Sequence, residues 1–145
     1  MRSLVSIRTT VCLAIGGAAL LLAGCGSQLG AGGGAASVQV SERDFAIHTA
    51  RTVAAGDVVL RVHNRGPGSH ELLVVRSATG RLPFRTDGLT VSEEAVSKAE
   101  VGVLEPAHAG VVRALRLHLS PGRYILFCNM SGHFLGGMHT TLVVR

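Results

Sequence analysis

Along residues 37–145 apolar residues come in short β-branched runs cut by turn signals, a pattern of strands. The runs are "VQVSERDFAIHT" in two pieces, "DVVLRVHN" from Asp57, "HELLVVR" from His70, "GVVRALRLHL" from Gly110, "RYILFC" from Arg123 and the closing "HTTLVVR". Ala55-Gly56-Asp57, the stretch Asn64 to Gly68, and Ser120-Pro121-Gly122 separate them as turns. In "VVRALRLHL", Val111, Arg113, Leu115, Leu117 and Leu119 alternate with Val112, Ala114, Arg116 and His118, which gives a strand one buried face. Six or seven such strands predict an all-β antiparallel sandwich or barrel. One stretch departs from the period of two. In "TVSEEAVSKAE", Ser92 is placed to cap a short helix from Glu93 to about Ala99, in the long connection between the fourth and fifth strands.

Ahead of the strands the pattern changes twice. Met1 to Thr10 carries Arg2 and Arg8 with no acid, and the apolar run "VCLAIGGAALLLAGC" follows, ending in small residues. This is the layout of a secretory signal. Val11 to Gly24 falls short of the roughly 18 residues of a spanning helix. Leu22, Ala23, Gly24 and Cys25 match a bacterial lipobox, so residues 1–24 are expected to be a lipoprotein signal peptide and Cys25 to carry diacylglycerol. Residues 25–36 are small and Gly-rich, the composition of a flexible tether, and 37–145 form the domain. The expected location is the extracytoplasmic side of a cell membrane, at the periplasm or cell surface, held by that lipid.

Processing alters the cysteine count. Of Cys12, Cys25 and Cys128, one leaves with the signal and one is lipidated, leaving a single thiol and no disulfide framework. The full chain has 14 basic and 9 acidic residues. Without Arg2 and Arg8 the balance is 12 to 9, scattered and nearly free of interleaved aromatics, so nucleic acid is not an expected partner. Phosphate-loop, dinucleotide and nucleophile-elbow motifs are absent from the sequence.

The remaining thiol lies in "FCNMSGHFLGGMHTTLVVR". Cys128 ends a strand, His133 and Met138 follow at equal steps, and Gly132, Gly136 and Gly137 let the segment bend. A lone buried cysteine is commonly mere packing; its neighbours here make that reading insufficient. A further histidine, His70, opens another strand after the polar turn "NRGPGS". One thiolate, two imidazoles and a thioether are the donors of a mononuclear copper site that accepts both Cu(I) and Cu(II). Met130 is a rival thioether with a poorer spacing. His48, His63, His108, His118 and His139 read as structural or solvated, and Phe134 and Leu135 as an apolar collar beside His133.

With "SHELLVV", "SPGRY", "CNMSGHFLGGM" and "TTLVV" in this order, the chain from Asp57 to Arg145 resembles the cupredoxins, the small blue-copper proteins, and its loop is similar to that of sulfocyanin-like bacterial members. The resemblance implies a Greek-key β-sandwich and one copper ion. It implies His70, Cys128 and His133 as its principal ligands, with Met138 as the weak axial one. It also implies a one-electron carrier, monomeric and not an enzyme, meeting redox partner proteins at the collar around His133. The alternative is a copper carrier or sensor that delivers the metal to an oxidase. Two features depart from the family pattern. Glu71 stands where many cupredoxins place an asparagine that steadies the ligand loop, and an ionised carboxylate cannot donate that hydrogen bond. The stretch Gly102 to Gly110 is unlike the plastocyanin and azurin core.

Overall fold

A computed structural model describes residues 34–145. The expected signal peptide, the expected lipidation site Cys25 and most of the expected tether lie outside the described residues. Nine strands and one helical turn follow: β1 (Ala36–Arg43), β2 (Ala46–Thr49), β3 (Thr52–Val53), β4 (Gly56–Asn64), β5 (His70–Arg76), α1 (Glu93–Val96), β6 (Glu100–Ala107), β7 (Val112–Leu119), β8 (Gly122–Phe127) and β9 (His139–Val144). They build a four-stranded sheet in the order β2-β1-β4-β7 and a five-stranded sheet in the order β3-β9-β8-β5-β6. Both are mixed, because β1 pairs parallel with β4 and β3 parallel with β9.

Alternation explains the first sheet. Val38 and Val40 of β1, Val58, Leu60 and Val62 of β4, and Leu117 and Leu119 of β7 point inward, where they meet Leu72, Val74, Tyr124, Leu126, Leu142 and Val144 of the second sheet in one buried core. Their intervening residues face outward. The second sheet reads differently: "LLVV" in β5 and "YILF" in β8 are buried without a break. A strand covered on both faces needs no polar alternation. The outer cover comes from the connection between β5 and β6, whose Leu82, Val91, Val96 and Ala99 pack with Leu73, Val75, Ile125 and Phe127 in a second cluster. Burying a side chain of this size stabilises by roughly 1.5–3 kcal/mol. Tyr124, buried in the main core, donates its hydroxyl to the Ser120 carbonyl at 2.9 Å, which satisfies the one polar atom it brings inside.

Two sequence expectations change in detail. The helix is a single turn: the Ser92 hydroxyl accepts from Ala95 N–H at 3.4 Å as foreseen, but the chain leaves the helix after Val96 and enters β6 at Glu100. The segment read as connection thus contains a strand, β6, at the edge of the second sheet.

Candidate metal centre

The site forms at one end of the sandwich, where β5 begins and β8 ends. Antiparallel pairing of Leu73 with Phe127 brings His70 and Cys128 to the same rim. Both are fully buried. The segment after Cys128 turns back on itself: His133 N–H donates to Met130 O at 2.9 Å, Met138 N–H to His133 O at 2.9 Å, and Cys128 N–H to Met138 O at 3.1 Å. That last bond sets Met138 against the cysteine backbone, with its side chain wholly buried in the main core. Donor atoms of His70, Cys128 and His133 all lie within 4.8 Å of one another, and Cys128 Sγ is 3.4 Å from His133 Nδ1. Of the predicted ligands, these three are brought together directly, and Met138 is held beside them through the backbone. Met130 packs half-buried at the core margin, and His139 is exposed with its ring stacked on Phe134 at 4.5 Å.

His70 brings ring nitrogens that no hydrogen bond within the protein satisfies. Its Nδ1 is buried with no hydrogen-bond partner, and Nε2, also without a hydrogen bond, lies 3.0 Å from Asp44 Oδ1. A buried imidazole nitrogen with no partner costs on the order of 1–3 kcal/mol unless something binds it. Burial pushes the His70 pKa down, with Asp44 opposing, so the ring stays neutral and able to ligate. Burial likewise pushes the Cys128 thiol up, while backbone N–H groups of Met130 and Glu71 bond to the sulfur and oppose the shift. Without a cation the thiol therefore keeps its proton; a soft cation would displace it. A buried thiol, two imidazoles and a thioether fit copper in kind and placement.

The surroundings are supplied by residues the sequence did not single out. Asn64 is fully buried and ties the turn before His70 to the end of β6: Nδ2 donates to Gly68 O at 2.8 Å and Ala107 O at 2.9 Å, and Oδ1 accepts from Gly66 N–H at 2.9 Å. Asn129 fastens the ligand loop to the outer cover, accepting from Val91 N–H at 2.7 Å and donating to Val91 O at 3.1 Å and Glu93 Oε1 at 2.8 Å. Glu71 does not replace the missing asparagine through its side chain. Its Oε1 accepts from Asn129 N–H at 3.1 Å, and burial, reinforced by the nearby Glu93 charge, raises its pKa.

From the turn between β1 and β2 come Asp44 and Phe45. Asp44 Oδ1 accepts from Gly68 N–H at 3.1 Å as well as facing His70. Phe45 is the one non-glycine residue with positive φ among the described residues, at 63°. A left-handed phenylalanine costs roughly 1–2 kcal/mol, so its surroundings must hold it there. Its ring meets His133 edge-on at 5.4 Å, and any side chain at position 136 would collide with that ring, so Gly136 is required by this contact. Phe134 turns out to be half-buried, packed edge-on with Phe127 at 5.5 Å and Phe84 at 5.3 Å, so it belongs to the second cluster rather than to an open collar. Exposed apolar groups in this region are Leu135 and Phe45, with Leu89 and Phe84 beside them.

No protein-family model matches the sequence, and no curated protein does. Among solved structures, the chain is similar to the dithionite-reduced auracyanin of the photosynthetic bacterium Roseiflexus castenholzii, with TM-score 0.57 and 16% identity over 77% of this chain and 99% of that one. It is also similar to auracyanin A of Chloroflexus aurantiacus, described as a blue copper protein, with TM-score 0.57 and 17% identity over 77% of this chain and 100% of that one. A third is an azurin of Methylomonas sp. strain J, with TM-score 0.55 and 17% identity over 77% and 99%. At this identity the likeness is one of fold: the chain has the cupredoxin β-sandwich that its sequence resembles.

Proposed function

We propose that the chain is a mononuclear copper protein that carries single electrons, exported and held at a membrane by lipid on Cys25. The observation that carries this reading is the convergence of His70, Cys128 and His133 donor atoms within 4.8 Å, with His70 Nδ1 buried and unpartnered. A bound copper ion would supply a one-electron Cu(II)/Cu(I) couple, with His70, Cys128 and His133 as principal donors and Met138 as the weak fourth. The protein's part is to keep those donors still. Cys128 is anchored by β8, His70 by β5 and the Asn64 turn, and Met138 by its backbone bond to Cys128. Electron transfer asks for this rigidity, since ligands that stay in place add no rearrangement to each turnover.

His70, Cys128 and Met138 are fully buried and His133 is partly exposed. Electrons would therefore pass at the His133 side, where Leu135 and Phe45 offer apolar surface to a redox partner protein. The same burial weighs against delivery of the ion to an oxidase, which needs ligands that let go. A filled donor set leaves no position for a substrate, consistent with a carrier rather than an enzyme. The test is titration with Cu(II). One equivalent should give an intense visible thiolate-to-copper band, and Cys128→Ser should abolish it; a band that survives this substitution would remove the assignment. Repeated reduction and reoxidation should bleach and restore the band with copper retained, whereas rapid loss of Cu(I) to an acceptor protein would support delivery.

A further inference from the structure

Four exposed arginines gather on or beside the outer face of the first sheet. Along the outer face of the first sheet, β1 presents Ser37, Gln39, Ser41 and Arg43, and β4 presents Asp57, Val59, Arg61 and His63. The alternation continues past β4 to the exposed Arg65. Arg116 of β7 pairs with Val59, two residues from Arg61, and at the opposite end Arg43 and Arg65 each follow a member of the last β1–β4 pair, Glu42 with Asn64. His48 and His63 both pair with Ser41, one from each side. Arg43, Arg61, Arg65 and Arg116 are all exposed. Acids offset them only in part: Glu42 is buried facing inward and Asp44 is engaged with Gly68 and His70, which leaves Asp57, 2.8 Å from His118, as the one exposed acid among the outward residues of these strands. Glu71, Asp87, Glu93, Glu94, Glu100 and Glu105 all belong to β5, β6 or the connection between them, where Arg76, Arg81, Arg85 and Lys98 are interspersed with them. Small side chains, Ser37, Ser41, Ala46 and Ala114, fill the spaces between the arginines, so the face is both basic and low in relief.

We infer that this basic face, formed by Arg43, Arg61, Arg65 and Arg116, docks on anionic phospholipid headgroups. Charge complementarity is one ground, because clustered arginines concentrate at an anionic bilayer surface and lose that attraction in salt. The other is where the chain leaves the described structure. The segment from Cys25 enters the domain at Ala36, the start of β1, a strand of this same sheet. This part of the inference rests on the lipid anchor proposed above. Eleven residues, the span from Cys25 to Ala36, reach at most about 40 Å. The anchor therefore keeps this face within reach of the bilayer. A single-sided contact of this kind leaves the second sheet turned away from the membrane and fixes how the His133 rim is presented to partners. An acidic protein would satisfy the charge equally, but nothing would tie it to the sheet that carries the tether.

The experiment uses the full-length chain as a bacterial host processes it, copper-loaded and floated with vesicles of phosphatidylcholine alone or mixed with phosphatidylglycerol. Phenylglyoxal modification of each arginine is then read by mass spectrometry. Arg43, Arg61, Arg65 and Arg116 should be modified several-fold more slowly on the anionic vesicles, Arg81 and Arg123 should not change, and high salt should remove the difference. Replacing Arg61→Gln and Arg116→Gln together should weaken the protection of Arg43 and Arg65. Flotation with both vesicles and equal reactivity of all arginines would overturn the inference and leave the anchor standing. Flotation confined to anionic vesicles, with the same four arginines protected, would support the face and remove the anchor. No flotation with either would overturn both.

Discussion

Replacing Glu42 with glutamine should make the metal-free protein more stable at pH 8 than the unaltered chain. Glu42 sits on the inward face of β1, fully buried. Its Oε2 accepts from Arg113 Nη2 at 2.9 Å, but Oε1 has no partner, and Arg113 divides itself further between the His70 and Glu105 carbonyls. Burial pushes the Glu42 carboxyl from its ordinary 4.5 to about 7, with Arg113 opposing and losing. A folded pKa above the unfolded one means that the fold favours the protonated acid. The associated stability is fully present below pH 4.5 and is lost as pH rises through 7. The shift corresponds to about 3 kcal/mol between those limits. Glutamine keeps the shape and the hydrogen bond from Arg113 but cannot ionise, so it should lack this loss. Urea unfolding of both proteins, followed by circular dichroism between pH 4.5 and 8, checks it. All other titrating groups are common to the pair and cancel in the difference. The gap should open by about 3 kcal/mol in favour of Glu42→Gln as pH rises. Parallel curves, or a variant that falls behind at pH 8, would show that the Arg113 pair holds Glu42 ionised at a net gain and would refute the argument.

Other substitutions address the site and the anchor. Met138→Gln should lower the reduction potential while copper stays bound by His70, Cys128 and His133, because the thioether favours Cu(I) and an amide oxygen does not; voltammetry on the purified protein reads it. Asp44→Asn removes the carboxylate 3.0 Å from His70 Nε2. It should weaken copper binding by about 10–100-fold in a competition titration and raise the potential, since a less basic imidazole stabilises Cu(II) less. Cys25→Ala should leave the domain folded yet release it from the membrane fraction or block its processing, and a variant that fractionates and is processed unchanged would end the lipoprotein reading.

How far the sequence could be read depended on what each residue is asked to do. Strands of the first sheet were legible because one face is wet, which writes an alternation, and β5 and β8 were legible because cover on both faces leaves unbroken apolar runs. β6 was hidden because it is an edge. Its sequence, "EVGVLEPA", contains a proline tolerated only where no partner needs the N–H, and Gly102, which reads as a breaker. Gly102 is there for a close approach: a Cβ at that position would lie 2.6 Å from a methyl of Leu117, where the edges of the two sheets come together. Two register shifts against β5 further blur its period.

The donor set was legible for a different reason. Copper's preferences act on side-chain chemistry, so thiol, imidazole and thioether must appear as named residues. Support for those donors is under no such restriction. Asp44 reaches His70 only because β1 pairs parallel with β4, a pairing of strands not adjacent in the chain that leaves no local signal in "RDFA". The departure at Glu71 resolves in the same way. A hydrogen bond to the cysteine sulfur comes from the Glu71 backbone N–H, and that donor is identical for asparagine and glutamate. The carboxylate is then free to accept from Asn129 N–H and tie the ligand loop from the other side. A side-chain change that looked as if it should weaken the site thus exchanges a donor for an acceptor at a position where the backbone already makes the bond to sulfur.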